Sequence, residues 1–239
     1  MSTQPNIVII VSDDMGYSDI PRLGDTDIAT PALDRLADEG SLFTNGYVSA
    51  PICSPSRMGI LSGRYQQRSG VYDIYYQRDI SGYHLWVEQK TIADYLRSAG
   101  YRTGLVGKWH AGEVKEPWGA HPMEKGFDEY VGIPGGMSSY VSGVELYRGH
   151  EPFPAPKYLT EYFGDEACAF IDRNAGNPFL LYLGFNAVHA PLEAMDEDLE
   201  ALGEYPSPDR KTYAGMLRAM DRNIGRVLDA LDEHGLAEN

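Results

Sequence analysis

The sequence is poor in cysteine, in positive charge and in long apolar runs, and each shortage removes a class of explanation. Only two cysteines, Cys53 and Cys168, occur in 239 residues, so no disulfide framework can be built. A formal charge of −15 argues against non-specific attachment to nucleic acid or to an anionic membrane. The longest aliphatic run, Ile7 to Val11, is too short to span a bilayer. Met1 to Asn6 is short and polar, without the charged and apolar regions of a secretion signal. Asn-x-Ser/Thr sequons, internal repeats and low-complexity segments are absent as well. With 43% hydrophobic and 23% charged residues, the chain has an ordinary globular composition and enough length to bury a core without covalent staples.

The periodicities describe an α/β layered fold. Asn6 to Ser12 is nearly continuous in β-branched residues and reads as a buried parallel strand, with Asp13 and Asp14 at its C-terminal end. Thr30 and Pro31 form a helix start, with Gly40 as the stop after Glu39. Leu42 to Val48 is expected as a strand, Thr91 to Ala99 as a helix and Tyr101 to Val106 as the strand after it. Phe179 to Phe185 is a third apolar strand, and Pro208 to His234 carries a helical apolar stripe. Val71 to Trp86 and Met123 to Pro156, rich in Tyr, Gly and Pro, are expected as long loops.

Several residues could carry chemistry. Adjacent carboxylates such as Asp13 and Asp14 repel one another, and a hard dication relieves that repulsion; they serve equally well as turn or helix caps. Lys108 and His110 follow a strand, and in extended backbone both would lie on one face. His189 precedes a proline loop, where an imidazole can move protons near neutral pH. Cys53 alone would be a small buried hydrophobe. Its neighbours change that, because Cys53-x-Pro55-Ser56-Arg57 is followed by Leu61-x-Gly63-Arg64. A helix beginning near Pro55 would aim its positive end at residue 53 and at any bound anion.

This run resembles the signature of type I sulfatases. So do Asn6-Ile7-Val8 through Asp13-Asp14-x-Gly16, Gly107-Lys108-Trp109-His110 and His189-x-Pro191. The resemblance implies an alkaline phosphatase-like three-layer α/β sandwich with a mostly parallel central sheet. It implies that Cys53 is oxidised to formylglycine by a formylglycine-generating enzyme, which recognises Cys-x-Pro-x-Arg, and that Arg57 stabilises the hydrated aldehyde. Asp13, Asp14 and residue 53 would bind Ca²⁺, or alternatively Mg²⁺. Lys108 would bind sulfate, His110 would act on the formylglycine hydroxyl, and His189 would protonate the leaving oxygen. The substrate would be a small-molecule or carbohydrate sulfate ester. The runners-up are a phosphonate or phosphate monoester hydrolase of the same superfamily, and a non-catalytic remnant that only binds or oligomerises. Trp109, Trp118, Tyr75, Tyr76 and Arg78 are candidates for substrate recognition.

Residues 1–239 are expected to be the N-terminal portion of a sulfatase catalytic domain. In the family a further strand carries an Asp-Asn pair that completes the metal site, and no Asp-Asn pair occurs here. The missing strand and C-terminal subdomain lead to the expectation of an exposed edge prone to self-association. The compartment stays open among periplasmic, secreted and cytoplasmic in a bacterium.

Overall fold

The computed structural model describes residues 4–74, 88–112, 114, 120–136 and 138–238. Six strands among them form one sheet: Ile7–Val11 (β1), Arg102–Gly107 (β2), Glu129–Gly132 (β3), Glu145–Arg148 (β4), Glu151–Pro154 (β5) and Phe179–Gly184 (β6). Their order is β1-β6-β2-β3-β4-β5. The first four in that order run parallel, and β4 and β5 add an antiparallel hairpin. The helices are Pro31–Glu39 (α1), Cys53–Ser62 (α2), Ile92–Ser98 (α3), Leu159–Asn174 (α4), Asp196–Glu200 (α5) and Pro208–Glu233 (α6). None of the helices described is long and apolar enough to cross a membrane.

The alternation of side chains along β6 explains why its sequence is apolar throughout. Leu181 and Leu183 enter one core, against Phe163 and Phe170 of α4 and Met216, Leu217, Met220 and Ile224 of α6. Leu180 and Tyr182 enter the other, against Met58 and Leu61 of α2 and Ala93 of α3. A strand with helices on both faces has no polar side to show. Each fully buried Leu or Phe contributes about 1.5–3 kcal/mol relative to exposure. The two cores hold the sheet between layers, as the sequence implied.

Three expectations change. Leu42 to Val48 forms turns and irregular backbone, not a strand, and its apolar residues face outward: Phe43 is 79% and Tyr47 88% exposed. The segment has the composition of a strand and no neighbouring strand among the described residues to pair with. Met123 to Pro156 is not one long loop, since it contains β3, β4 and β5. Those strands are four residues each, too short to show a period between their glycines and prolines. Finally, Thr30 occupies the N-cap of α1 but makes no side-chain cap. Asp221 of α6 does so instead, accepting from the amides of Ala32 at 3.0 Å and Leu33 at 2.9 Å. Burial raises the Asp221 carboxyl above its usual value, and these two amides act against that rise. The start of α3 follows the sequence closely, with Thr91 accepting from the Asp94 amide in a capping box.

Register places the ends of the central strands side by side. Val11 pairs with Gly184, and Gly184 with Gly107. Whatever follows these residues therefore emerges together, at the carboxyl end of the sheet where α/β folds bind ligands. Glycine is needed at 107: its φ is +104°, and a Cβ there would stand 2.1 Å from the Gly184 carbonyl oxygen.

Candidate active site

The three strand ends deliver Asp13, Lys108 and the 185–191 segment to one place, and α2 brings Cys53 and Arg57 to meet them. The Asp13 amide donates to Ala187 O at 2.9 Å, the Val188 amide to Asp13 O at 2.8 Å and the Lys108 amide to Gly184 O at 2.7 Å. The backbone of all three segments is thereby locked before any side chain is considered. Helix α2 starts at Cys53 rather than near Pro55, and its N-cap Ile52 offers no side-chain cap. Pro55 lies in the first turn, where its missing N–H interrupts no helical bond. The positive end of the helix dipole thus falls on residue 53.

The side chains form a buried charged cluster. Lys108, with no exposed surface, pairs through Nζ with Asp13 Oδ2. Arg57 is 2% exposed; its guanidinium donates to Lys108 O at 2.8 Å and Phe185 O at 3.2 Å, and lies 3.5 Å from Asp13 Oδ2. Burial opposes the charge on Asp13, but Arg57 and then Lys108 outweigh it and hold the carboxyl below the usual range. Burial raises the Cys53 thiol; Lys108 opposes that, while Asp13 and Asp14 add to it. A thiol raised in this way is mostly protonated near neutral pH and is a weak nucleophile. Asp13, Asp14, Met15, Cys53, Arg57 and Ile60 line a cleft of about 320 Å³.

His189 stands at the rim. Its Nδ1 lies 2.6 Å from the carbonyl oxygen of Ala190. A carbonyl only accepts, so Nδ1 carries the proton and Nε2 is left 3.6 Å from Asp14 Oδ2. Asp14 itself is exposed and holds a left-handed backbone, φ 61°. His110 departs from the expected geometry. The chain leaves extended backbone after Gly107, and His110 has φ 46°, so it does not share a strand face with Lys108. It is buried against Gly136, where a Cβ would come within 2.2 Å of His110 Cε1. Trp109 is likewise reassigned from substrate recognition to the core. It is buried, donates to Ala120 O at 3.0 Å and packs edge-on against Phe127. Trp118, Tyr75, Tyr76 and Arg78 lie outside the described residues.

The sequence reading missed the clamp on the 185–191 segment. The Tyr140 hydroxyl lies 2.6 Å from Asn186 O and 2.7 Å from His189 O. Glu193 in turn accepts from the Tyr140 amide and the Ser139 hydroxyl, both at 2.7 Å. No periodic pattern marks these residues; Ser139 and Tyr140 lie in the Tyr- and Gly-rich stretch Met123 to Pro156, and Glu193 lies outside it.

Asp13 and Asp14 offer the hard oxygen donors that suit Ca²⁺ or Mg²⁺, and residue 53 adjoins them. The donors fit such an ion in kind but fall short in number. No group of three or more His, Cys, Asp or Glu among the described residues is placed to hold a metal, and Asp13 is already engaged by two cations.

The sulfatase family model matches residues 5–239. Human N-acetylgalactosamine-6-sulfatase is 34% identical, over 98% of this chain and 48% of its own length. An arylsulfatase of Hemicentrotus pulcherrimus is 33% identical, over 99% of this chain and 45% of its own. Among solved structures, Ps i-CgsB in complex with k-i-k-neocarrahexaose superimposes with a TM-score of 0.92 at 35% identity, covering 98% of this chain and 56% of that one. The chain spans about half the length of the curated relatives it matches.

Proposed function

The chain belongs to the sulfatase family, and from that premise we propose that residues 1–239 carry the nucleophile-bearing portion of a catalytic domain that hydrolyses a sulfate monoester. The observation that carries the reading is the setting of Cys53. Its thiol is suppressed by burial and neighbouring carboxylates, yet it starts a helix and adjoins a buried lysine and arginine. This environment is poor for a thiolate and good for an oxygen nucleophile facing an anion. Conversion of Cys53 to formylglycine supplies that oxygen, as a hydrated aldehyde, and Cys53-x-Pro55-x-Arg57 is the pattern a formylglycine-generating enzyme takes.

The chain's own residues then have separable tasks. Arg57 and Lys108 oppose the negative charge of the sulfuryl group, and charge-assisted donors in a dry site are the stronger kind. His189 keeps its Nδ1 proton on Ala190 O and, as the imidazolium with a second proton on Nε2, hands that second proton to the departing alcohol. One hydroxyl of hydrated residue 53 attacks sulfur as the bond to that alcohol breaks; His110 then accepts the proton of the second hydroxyl as the aldehyde re-forms, its C–O bond to sulfate breaks and sulfate leaves. Asp13, Asp14 and residue 53 would hold part of the shell of Ca²⁺ or Mg²⁺, which when bound supplies positive charge beside the sulfate. The substrate we favour is a sulfated carbohydrate, in line with the hexaose bound by the related Ps i-CgsB.

Mass spectrometry of the peptide spanning residues 50–64, after co-expression with a formylglycine-generating enzyme, should find the aldehyde in place of the thiol. The matured chain should turn over an aryl sulfate faster than the matching aryl phosphonate. Faster phosphonate cleavage would give the runner-up its place, and an aldehyde-bearing chain inert towards both esters would leave a binding remnant.

A further inference from the structure

Two cavities at the C-terminal end of α2 are used by none of the steps above. Their volumes are about 700 and 660 Å³, and both are lined by Arg64 and Arg68, so they form one groove. Tyr47 and Tyr65 flank it at one end, Lys90 and Tyr95 at the other. Among the described residues Glu88 is its one lining carboxylate. Val48 and Ile60 also line the cleft at Cys53, so the groove opens beside that cleft, and helix α2, ten residues and about 15 Å long, sets Arg64 and Arg68 at the end away from residue 53.

The charge here is unusual for this molecule. Most other described arginines, Arg102 excepted, are answered by carboxylates: Arg35 by Glu39, Asp229 and Asp232, Arg210 by Asp19 and Asp27, Arg222 by Glu161 and Asp198. Among the described residues neither Arg64, Arg68 nor Lys90 makes an ion pair, and Lys90 instead lies 5.8 Å over the Tyr95 ring. On a chain of net charge −15, an anionic ligand is repelled over most of the surface and attracted at this groove. Exposed tyrosines at both ends add flat amphipathic faces on which sugar rings stack. Glu88 argues against a uniformly charged polymer, because it would meet a phosphate at every step. It suits a ligand whose sulfates alternate with hydroxyls, since a carboxylate accepts hydrogen bonds from the latter.

We propose that this groove is a non-catalytic binding site for a sulfated oligosaccharide, in which Arg64 and Arg68 hold a sulfate group that the active site does not cleave. The proposal rests on the reading of the chain as a carbohydrate sulfatase and adds to it a second point of attachment.

Isothermal titration of the full chain with a sulfated galactan hexasaccharide tests it, beside the desulfated hexasaccharide and a single-stranded oligonucleotide. The sulfated sugar should bind, more weakly as salt rises. Arg64→Gln with Arg68→Gln should weaken it at least about tenfold, the loss of one or more charge-assisted hydrogen bonds, with the unfolding midpoint unchanged. Cys53→Ala should bind it as the parent does. Equal binding of the desulfated sugar, unchanged binding by the double variant, or an oligonucleotide that binds as tightly would each overturn the site. The underlying reading fails differently. Aryl sulfate turnover by the matured chain should survive Arg68→Gln and vanish in Cys53→Ala; no turnover in any of them strikes the function while leaving the titration to judge the groove.

Discussion

The two ends of α2 present arginine in opposite ways. At its start Arg57 is buried, bonded to two carbonyl oxygens and close to Asp13. Past its end, Arg64 and Arg68 are exposed and without ion pairs among the described residues. The helix thus carries one cation that the fold depends on, and the chain just beyond it carries two that it does not. Desolvation accounts for the difference: a buried guanidinium must find all its partners inside the protein, whereas an exposed one has water and is available to a ligand.

The contrast breaks most visibly at Arg57. Arg57→Met leaves Asp13 paired with Lys108 but takes the charged donor from the Lys108 and Phe185 carbonyls, and each hydrogen bond to a charged group is worth about 1.5–3 kcal/mol. Urea unfolding followed by far-UV circular dichroism should show that loss; a change below 1 kcal/mol would mean the cluster is hydrated and the contrast is one of position only.

Acid sharpens the comparison once a separate group is accounted for. Burial, and then the stacked ring of His150, push His121 down to about 4 against the pull of its bond to Gly149 O. Its folded value lies below its unfolded one of about 6.5, so the unfolded chain takes the proton first. The stability that neutral His121 supplies is complete above that pH and is lost as pH falls towards 4. His121→Gln should flatten this part of the stability profile. At lower pH the losses due to Asp13, Asp27, Asp165 and Glu166 follow, since all four carboxyls are held below the usual range. A profile unchanged by His121→Gln would place the acid-sensitive group elsewhere. The smallest effect belongs to the groove: Arg68→Gln should shift unfolding by no more than about 0.5 kcal/mol. A larger loss in the same urea titration would make it a structural residue.

The site was more legible than the frame around it. Cys53, Pro55 and Arg57 stand in one short run, and Asp13 and Lys108 each follow a strand whose apolar pattern is plain. Local pattern reaches that far. It fails for Leu42 to Val48, where residues suited to a strand found no partner strand among the described residues, because pairing is non-local. The β4–β5 hairpin escaped because its strands are shorter than the window a period needs. His110 was misplaced because a left-handed turn after Gly107 cannot be distinguished in sequence from continued extension. Tyr140 and Glu193 act through single contacts that no spacing rule encodes.

Asp221 gives α1 an unusual dependency. The amides of Ala32 and Leu33 are capped by a carboxylate 189 and 188 positions further along the chain. A helix this short is marginal by itself, and here its start is completed only when α6 has docked. Contacts of such separation slow folding, since a long loop must close before they form. During synthesis α1 leaves the ribosome early and waits for a residue 189 positions beyond Ala32 before its first turn is secured. Amide exchange at Ala32 and Leu33 is therefore a clock for the arrival of α6.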